Sequence, residues 1–194
     1  MKKTTWIIVG AVVAVVVIFC WSAYNGLVAA QQEVESKWSN VETQYQRRSD
    51  LIPNLVNTVK GYAKHEQQTL DGVVAARTAA TAVNVEASNM TAEQFRQYAS
   101  AQNGVTQALG RLIAISENYP DLKANQNFLE LQAQLEGTEN RIAVARKEYN
   151  DAVKAFNVKV IKFPDNLIAG MFGFAQKEFF AAAEGASAVP AVEF

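Results

Sequence analysis

The chain begins with a long apolar run that no charged residue interrupts. Charged side chains are absent from positions 4–32, and the densest apolar stretch runs from Trp6 to Trp21. Extended to Tyr24, this gives about the 20 residues that a helix needs to cross a bilayer. Trp6 at one end, with Trp21 and Tyr24 at the other, stand where aromatic rings favour the lipid headgroup level. We therefore predict a cytoplasmic N-terminus and transmembrane anchor over residues 1–24.

Three other interpretations of this run fit its residues less well. A cleaved signal peptide has a shorter apolar core and a small-x-small cleavage site, and the residues after the run offer no good one. A lipoprotein signal has a small residue before the modified cysteine, whereas Cys20 follows Phe19. A buried helix of a soluble protein is rarely apolar on all sides over such a length. The residues favour an uncleaved anchor.

Beyond the anchor, apolar residues recur at alternating intervals of three and four, which is typical of one face of a helix. The first such stripe passes through Asn25 and Gly26 without a change of phase, so the spanning helix is expected to continue as one rod. A proline disfavours helical geometry at the residue before it, so Pro53 predicts a turn at positions 49–53. A second helix is then expected over about 54–85.

Two further helices follow. Thr91, with Glu93 and Gln94 after it, is a helix start signal, and Pro120 ends the helix that begins there. The fourth helix holds heptad spacing from Phe128 to Phe156, the pattern of long-helix packing. We assign its aromatic residues to core packing rather than to a cofactor.

Short connections between long helices favour antiparallel neighbours. The sequence thus predicts an all-α fold, in which the transmembrane helix continues into an antiparallel bundle of about four long helices over residues 25–162. If the helices alternate in direction, the Phe-rich segment and tail at 163–194 return to the membrane surface. Phe172 and Phe174 then suit contact with lipid or another subunit. The same segment is equally suited to covering the open end of the core.

Charge and composition narrow the function. Without the two lysines before the span, 16 basic and 19 acidic residues remain, a formal charge of −3, which argues against nucleic acid as a partner. The lone cysteine lies in the span and there is one histidine, so we expect no catalytic residues, no metal and no cofactor. Lys2 and Lys3 favour a cytoplasmic N-terminus, which places the body outside the cytoplasm of a bacterial inner membrane.

The turn predicted at Pro53 holds the most interesting polar residues. Arg48 falls on the apolar stripe, where an unpaired guanidinium is costly, so we expect an acidic partner, either Asp50 or a carboxylate of another helix. A salt-bridged turn is the structural interpretation and a binding site the functional one. The candidate partner-binding residues, predicted to lie together at the membrane-distal end, are Arg47, Arg48, Asp50, Pro53, Asn54, Tyr119, Pro120 and Lys123.

Several ordered motifs carry a family resemblance. They are YNGLV at 24–28, WSNVETQYQRRSDLIPNLV at 38–56, ENYPDLKANQNFLELQ from position 117 and FNVKVIKFP from position 156. The chain closely resembles the LemA family of bacterial membrane proteins over essentially everything after the first two dozen residues.

The resemblance implies one N-terminal transmembrane helix, a body of long antiparallel helices and no established enzymatic activity. Family members are associated with membrane proteases and other envelope proteins, and a related branch is similar to a magnetosome membrane protein. We expect a non-catalytic, membrane-anchored scaffold or adaptor that associates with itself. The alternative is an accessory or regulatory subunit of a membrane protease or another envelope complex.

Overall fold

The computed structural model describes residues 2–83, 85–88 and 90–181. All regular structure within these residues is helical, which confirms the all-α fold class. The predicted tail beyond position 181 lies outside the described residues. In chain order the helices are α1 (Lys2–Tyr62), α2 (Gln67–Ala82), α3 (Ala92–Ser116), α4 (Pro120–Lys123), α5 (Gln126–Ile161) and α6 (Asp165–Phe172).

Helix α1 is one continuous rod that carries both the apolar run and the start of the body. Its 61 residues give a length of roughly 90 Å. It passes through positions 25–26 without a break, which confirms the predicted continuation of the spanning helix. The apolar part is long and apolar enough to cross a membrane and is exposed on all sides. Its buried stripe then consists of Leu27, Val34, Trp38, Val41, Tyr45, Arg48, Ile52, Leu55 and Val59.

The turn predicted at positions 49–53 is wrong, because Pro53 lies inside α1. The chain reverses only at 63–66, so the predicted second helix over 54–85 is wrong as well. Residues 54–62 complete α1, and the return helix is the shorter α2.

A side chain of α2 explains why α1 remains helical at Pro53. A proline has no N–H, so the carbonyl four residues earlier, that of Ser49, loses its partner within the helix. Arg77 supplies a substitute, since its Nε donates to the Ser49 carbonyl oxygen at 3.0 Å. Ser49 is buried, where an unpaired carbonyl would be costly. The hydrogen bond therefore satisfies the backbone of α1 and joins α2 to it.

This arrangement predicts a coupling between Arg77 and Pro53. Arg77→Met is expected to lower the free energy of unfolding by about 1–3 kcal/mol, the cost of an unpaired buried carbonyl. In a Pro53→Ala background, the N–H of Ala donates to the Ser49 carbonyl. Arg77→Met should then lower the free energy of unfolding by clearly less. Denaturant unfolding in detergent micelles of the four variants measures this coupling as a double-mutant cycle.

The control for this cycle is Arg111→Met, an exposed arginine of α3, which is expected to change stability by no more than about 0.5 kcal/mol. An equal cost of Arg77→Met in both backgrounds would show that the arginine does not act on the proline break.

The other two predicted helices are confirmed. Helix α3 begins at Thr91 with a capping box, in which Thr91 Oγ1 accepts from Gln94 N–H and Gln94 Oε1 accepts from Thr91 N–H. Helix α5 covers the heptad stripe, and Asn125 Oδ1 caps it by accepting from Phe128 N–H at 3.0 Å. Both starts follow from side chains that satisfy free N–H groups of a helix.

Helix α5 runs antiparallel to α1 and covers most of its buried stripe. Near the membrane side, Lys159 Nζ donates to the carbonyl of Gly26 at 3.0 Å. Further out, Lys37 pairs with Glu148 at 3.2 Å, so residue numbers fall along α5 as they rise along α1. The predicted direction of this helix is therefore correct, and it returns the chain toward the span.

The C-terminal part of the chain lies beside the residues of α1 that follow the apolar run. Ile168 and Ala169 of α6 pack on Leu27, next to the partly buried Cys20 and Ala23. After Gly173, which has a φ of 76°, the chain continues to position 181 without regular structure and lies along α5. Both predicted roles of the Phe-rich segment thus have residues to support them: Phe180 is buried in the core, while Phe172 is 59% exposed.

Candidate functional site

Three of the predicted partner-binding residues lie at the membrane-distal end. Tyr119 and Pro120 stand where α3 gives way to α4, and Lys123 ends α4. The Tyr119 hydroxyl donates to Glu66 Oε1 at 2.9 Å, which ties this turn to the reversal between α1 and α2. Lys123 forms an exposed ion pair with Glu117. This distal end therefore has a fixed turn with exposed polar groups.

The other five predicted residues are not at that end, which corrects the predicted grouping. Arg47, Arg48, Asp50, Pro53 and Asn54 lie 8 to 15 residues before the end of α1, or about 12–22 Å along its axis. They lie there because α1 continues through Pro53 to Tyr62 instead of turning at the proline. Their binding role stays a prediction, but they form no single surface with the α4 turn.

Arg48 is instead the centre of a buried polar network. It is 1% exposed and its NH1 pairs with Glu139 Oε1 of α5 at 3.0 Å. The same nitrogen donates to Thr106 Oγ1 at 2.8 Å, while NH2 donates to Gln102 Oε1 at 2.6 Å and to the Gln102 carbonyl at 3.0 Å. The guanidinium also lies 4.9 Å from the ring centroid of Tyr45. The predicted acidic partner is therefore a carboxylate of another helix, whereas Asp50 accepts from Gln46.

A crevice of about 250 Å³ adjoins this network between α1, α2 and α3. Its walls include Glu42, Arg48, Arg77 and Tyr98. Burial raises the pKa of the Glu42 carboxyl above its ordinary value, and burial also raises the pKa of the Tyr98 hydroxyl. Burial in the crevice therefore disfavours the charged form of Glu42, so the stability of the fold is expected to depend on pH.

We expect Glu42→Gln to raise the melting temperature at about pH 7 and to have little effect near pH 4. A carboxyl whose pKa is raised by folding contributes its full share of stability while it is protonated in both states, and loses it as the pH rises through the folded-state value. Glutamine removes that loss. Melting curves at a series of pH values test this, and a constant difference between variant and parent at all pH values would contradict it.

The predicted membrane-interface residues occupy the other end of the molecule. Trp6 and Trp21 are 75% and 72% exposed on α1, and no described protein group covers them. Tyr24 contacts Phe172 with a ring centroid distance of 4.8 Å and Phe174 at 5.9 Å. Four aromatic side chains therefore lie near the end of the apolar run: Trp21 and Tyr24 of α1, with Phe172 and Phe174 from the C-terminal part of the chain.

Helix α6 has a second apolar face that points away from the protein. Leu167, Met171 and Phe172 are 58%, 77% and 59% exposed, and Phe163 before the helix is 72% exposed. Their position beside the end of the span is typical of a helix that lies in the headgroup region. A membrane interface remains the predicted role of this face.

Environment-sensitive labelling tests that role. In a Cys20→Ala background, Met171→Cys carrying the fluorophore NBD is expected to emit at shorter wavelength in liposomes than in water and to be quenched by lipids with brominated acyl chains. The control is Asp121→Cys on the exposed surface of α4, where neither effect is expected. Equal behaviour of the two labels would place the α6 face in water.

The described residues offer little chemistry for catalysis. No group of three histidine, cysteine or carboxylate side chains among them is arranged to hold a metal ion. His65 is exposed in the reversal after α1, and Cys20 lies within the apolar part of α1. The polar groups that do converge, around Arg48, are bonded to one another.

The sequence analysis missed one set of residues, which hold the segment from Phe174 to Ala181, here called the C-terminal strap. Asn157 accepts from Lys177 N–H at 2.8 Å and donates to the Lys177 carbonyl at 2.9 Å. Asn150 makes the same pair of bonds with Phe180, each at 2.9 Å. The only signal in the sequence is that these two asparagines are seven residues apart on a long helix, and so share one face.

Side chains complete the attachment of the strap. Phe180 is 5% exposed and its ring lies 4.8 Å from that of Phe95 and 5.9 Å, stacked, from that of Trp38. Lys177 Nζ donates to the carbonyls of Ala87 and Ser88 at 3.4 and 3.2 Å, and burial lowers the pKa of this amine.

The LemA family model matches residues 37–194. The chain belongs to the LemA family. The match covers the distal end, the Arg48 network, α5 and the strap, and it begins after the apolar part of α1.

Individual relatives support this assignment. Protein LemA of Metamycoplasma hominis is 23% identical over 160 residues, which cover 82% of this LemA-family chain and 69% of that protein. Magnetosome protein MamQ 2 of Paramagnetospirillum magneticum and magnetosome protein MamQ of Magnetospirillum gryphiswaldense are each 29% identical over 178 residues. Those matches cover 81% of this chain and 64% of each relative, so the chain spans less than two thirds of their length. This chain is a membrane-associated helical protein.

Proposed function

We propose that this LemA-family protein is a non-catalytic, self-associating scaffold of the bacterial inner membrane, with its N-terminus in the cytoplasm and its helical body outside. The observation that carries the proposal is the continuity of α1. One helix forms the apolar run, crosses the exit of the span and reaches the distal end. A partner bound at that end is held at a set distance from the bilayer.

The packing of the body supports this mechanical role. Helix α1 extends 38 residues beyond Tyr24, or roughly 57 Å, and α5 lies along it for most of that length. Ion pairs and hydrogen bonds between the two helices occur at Gly26, Lys37 and Arg48, so they are distributed along the rod. Bending the body relative to the span requires breaking these contacts or the helix itself.

The polar residues support a binding role over a catalytic one. Catalysis needs a nucleophile or base poised beside an open site. The lone histidine is exposed with no carboxylate or hydroxyl partner shown for it among the described residues, and the buried Arg48 already has four hydrogen bonds. We therefore assign the protein a structural task in the envelope.

Self-association is the second part of the proposal. Gly10 and Ala14, four residues apart in the apolar run, permit close approach of two spanning helices. The exposed apolar face of α6 lies beside the same span and is available to lipid or to a neighbouring copy.

The test is the mass of the intact protein in native membrane nanodiscs, measured by mass photometry, with co-isolated proteins identified by mass spectrometry. A discrete homo-oligomer is the expected result. A monomer that carries a stoichiometric protease or other envelope protein would overturn the scaffold in favour of the second candidate.

That second candidate is an accessory or regulatory subunit of a membrane protease or another envelope complex. It is supported by the distal end, where Pro120 and Lys123 are exposed on a turn that Tyr119 and Glu66 hold in place. Pro120→Ala with Lys123→Ala would then remove a co-isolated partner without lowering the melting temperature. Arg96→Ala, an exposed residue near the start of α3 and outside the predicted binding residues, serves as the control.

A further inference from the structure

The strap is bound by α5 as a peptide is bound by a groove. Six of its main-chain groups form hydrogen bonds with α5: the N–H and carbonyl of Lys177, the carbonyl of Glu178, the N–H and carbonyl of Phe180 and the carbonyl of Ala181. The partners are polar atoms of four side chains of α5, which form the groove: Arg146, Tyr149, Asn150 and Asn157. Recognition of main-chain groups by side chains fixes the path of a peptide while leaving most of its sequence free.

The two asparagines set the register of that peptide. Asn150 and Asn157 are seven residues apart, a rise of about 10.5 Å along the helix. Lys177 and Phe180 are three residues apart, and three residues span about 10 Å only when the chain is nearly extended. The spacing of the asparagines therefore fits every third residue of an extended chain that runs antiparallel to α5.

Within the Lys177–Phe180 part of the strap, two side chains make specific contacts with the rest of the protein. Phe180 enters an aromatic cluster formed with Trp38, Phe95, Tyr98 and Tyr149, and the Arg146 guanidinium lies 4.8 Å from its ring centroid. Lys177 reaches two carbonyls of the α2–α3 loop. The side chains of Gln176, Glu178 and Phe179 are exposed. The groove thus takes an extended peptide of the pattern Lys-x-x-Phe.

We infer that this groove joins copies of the protein, each groove receiving the Lys177–Phe180 segment of a neighbouring copy. When two copies exchange an identical segment, each groove keeps the same contacts as before, so the exchange itself costs little free energy. Because every copy is anchored by the same helix, the groove of one copy and the strap of its neighbour stand at the same height above the bilayer. Confinement to the membrane also raises the effective concentration of the strap at the neighbouring groove.

The connection between α6 and the strap suits such an exchange. Gly173 lies in open space with a left-handed φ, and Ala175 and Gln176 are exposed. The four residues from Gly173 to Lys177 reach at most about 14 Å. The receiving copy must therefore stand directly beside the donor, with adjacent spans. The inference rests on the self-association in the proposed function and names the contact that produces it.

Photocrosslinking in the membrane tests the inference with the full chain. A copy carrying Phe180→p-benzoylphenylalanine keeps an aromatic ring in the cluster, and it is produced together with an unlabelled copy that bears a different tag. Irradiation is expected to yield dimers that carry both tags, with the crosslink mapped to the aromatic cluster or to Arg146 of the other copy. Phe179→p-benzoylphenylalanine, on the exposed neighbouring side chain, is the control and should give no crosslink at those positions.

A second variant tests the groove itself. Asn150→Ala with Asn157→Ala in the receiving copy removes four main-chain hydrogen bonds and is expected to lower the dimer yield by roughly tenfold or more. Lys154→Ala, exposed on α5 between the two asparagines, should leave the yield unchanged. Equal yields from the asparagine variant and this control would overturn the groove as the joining site.

The outcomes separate this inference from the proposed function. A homo-oligomer in nanodiscs whose position-180 crosslinks all stay within one chain overturns strap exchange and leaves the scaffold standing. Crosslinks to a different protein overturn the second copy as the occupant. A monomer in nanodiscs without crosslinked dimers overturns both.

Discussion

Arg48→Ala is expected to lower the free energy of unfolding by about 2–4 kcal/mol, because it removes a buried guanidinium and leaves its hydrogen-bond partners without a donor. The guanidinium is 1% exposed and supplies hydrogen bonds to Glu139, Thr106 and Gln102 from two other helices. Alanine leaves these acceptors facing a cavity. Denaturant unfolding in detergent micelles, followed by circular dichroism, measures the loss.

Neighbouring variants give this prediction its controls. Arg47→Ala removes an exposed arginine from the adjacent position and is expected to change stability by no more than about 0.5 kcal/mol. Glu139→Gln keeps an acceptor for Arg48 on a side chain that is 35% exposed, so it should cost less than Arg48→Ala. Similar small effects of Arg47→Ala and Arg48→Ala would show that the network does not stabilise the fold.

Arg48 also shows which features of the fold can be predicted from the sequence and which cannot. Its place on an apolar stripe predicted burial and an acidic partner, because those follow from the cost of an unpaired buried charge. Which acid pairs with it depends on how α5 aligns with α1, since Glu139 lies 91 positions further along the chain. Local spacing carries no information on that alignment, and the nearer Asp50 was an equally valid expectation.

The error at Pro53 has the same origin. The rule that a proline interrupts a helix is local, and it holds when nothing else satisfies the freed carbonyl. Arg77, which satisfies it, comes 24 positions later and from another helix. The long helices, the start of α3 and the return of α5 were predictable because stripes and caps are encoded within a few residues. The grouping of Arg47 to Asn54 with Tyr119 failed because it depended on the turn.

The strap lay beyond sequence reasoning for a different reason. Its backbone is held by side chains of α5, so no periodicity in the strap itself marks the interaction. An asparagine beside a heptad stripe reads as a solvated residue until its partner is known. The membrane end, by contrast, is marked directly by composition: aromatic and apolar residues at the end of a long apolar run predict an interface wherever the chain folds.

Trp38→Ala is the second large effect, with an expected loss of about 3–5 kcal/mol. The indole is 1% exposed at the centre of the aromatic cluster, where its ring lies 5.1 Å from Tyr98, 5.5 Å from Tyr149 and 5.9 Å from Phe180. It thereby joins α1 to α3, α5 and the strap at one point. Denaturant unfolding measures the loss, and proteolysis within the strap should accelerate in the same variant because Phe180 loses its stacked partner.

Trp38→Phe separates packing from the mere presence of an aromatic residue. Phenylalanine keeps a ring in contact with the cluster and leaves a smaller cavity than alanine, so its cost should be well below that of Trp38→Ala. Val144→Ala, on the exposed side of α5, controls for truncation as such. If Trp38→Ala costs no more than Val144→Ala, the cluster does not hold the rod to the body. The packing of the body along α1, which supports the scaffold beside the continuity of that helix, would then lose its largest apolar contact.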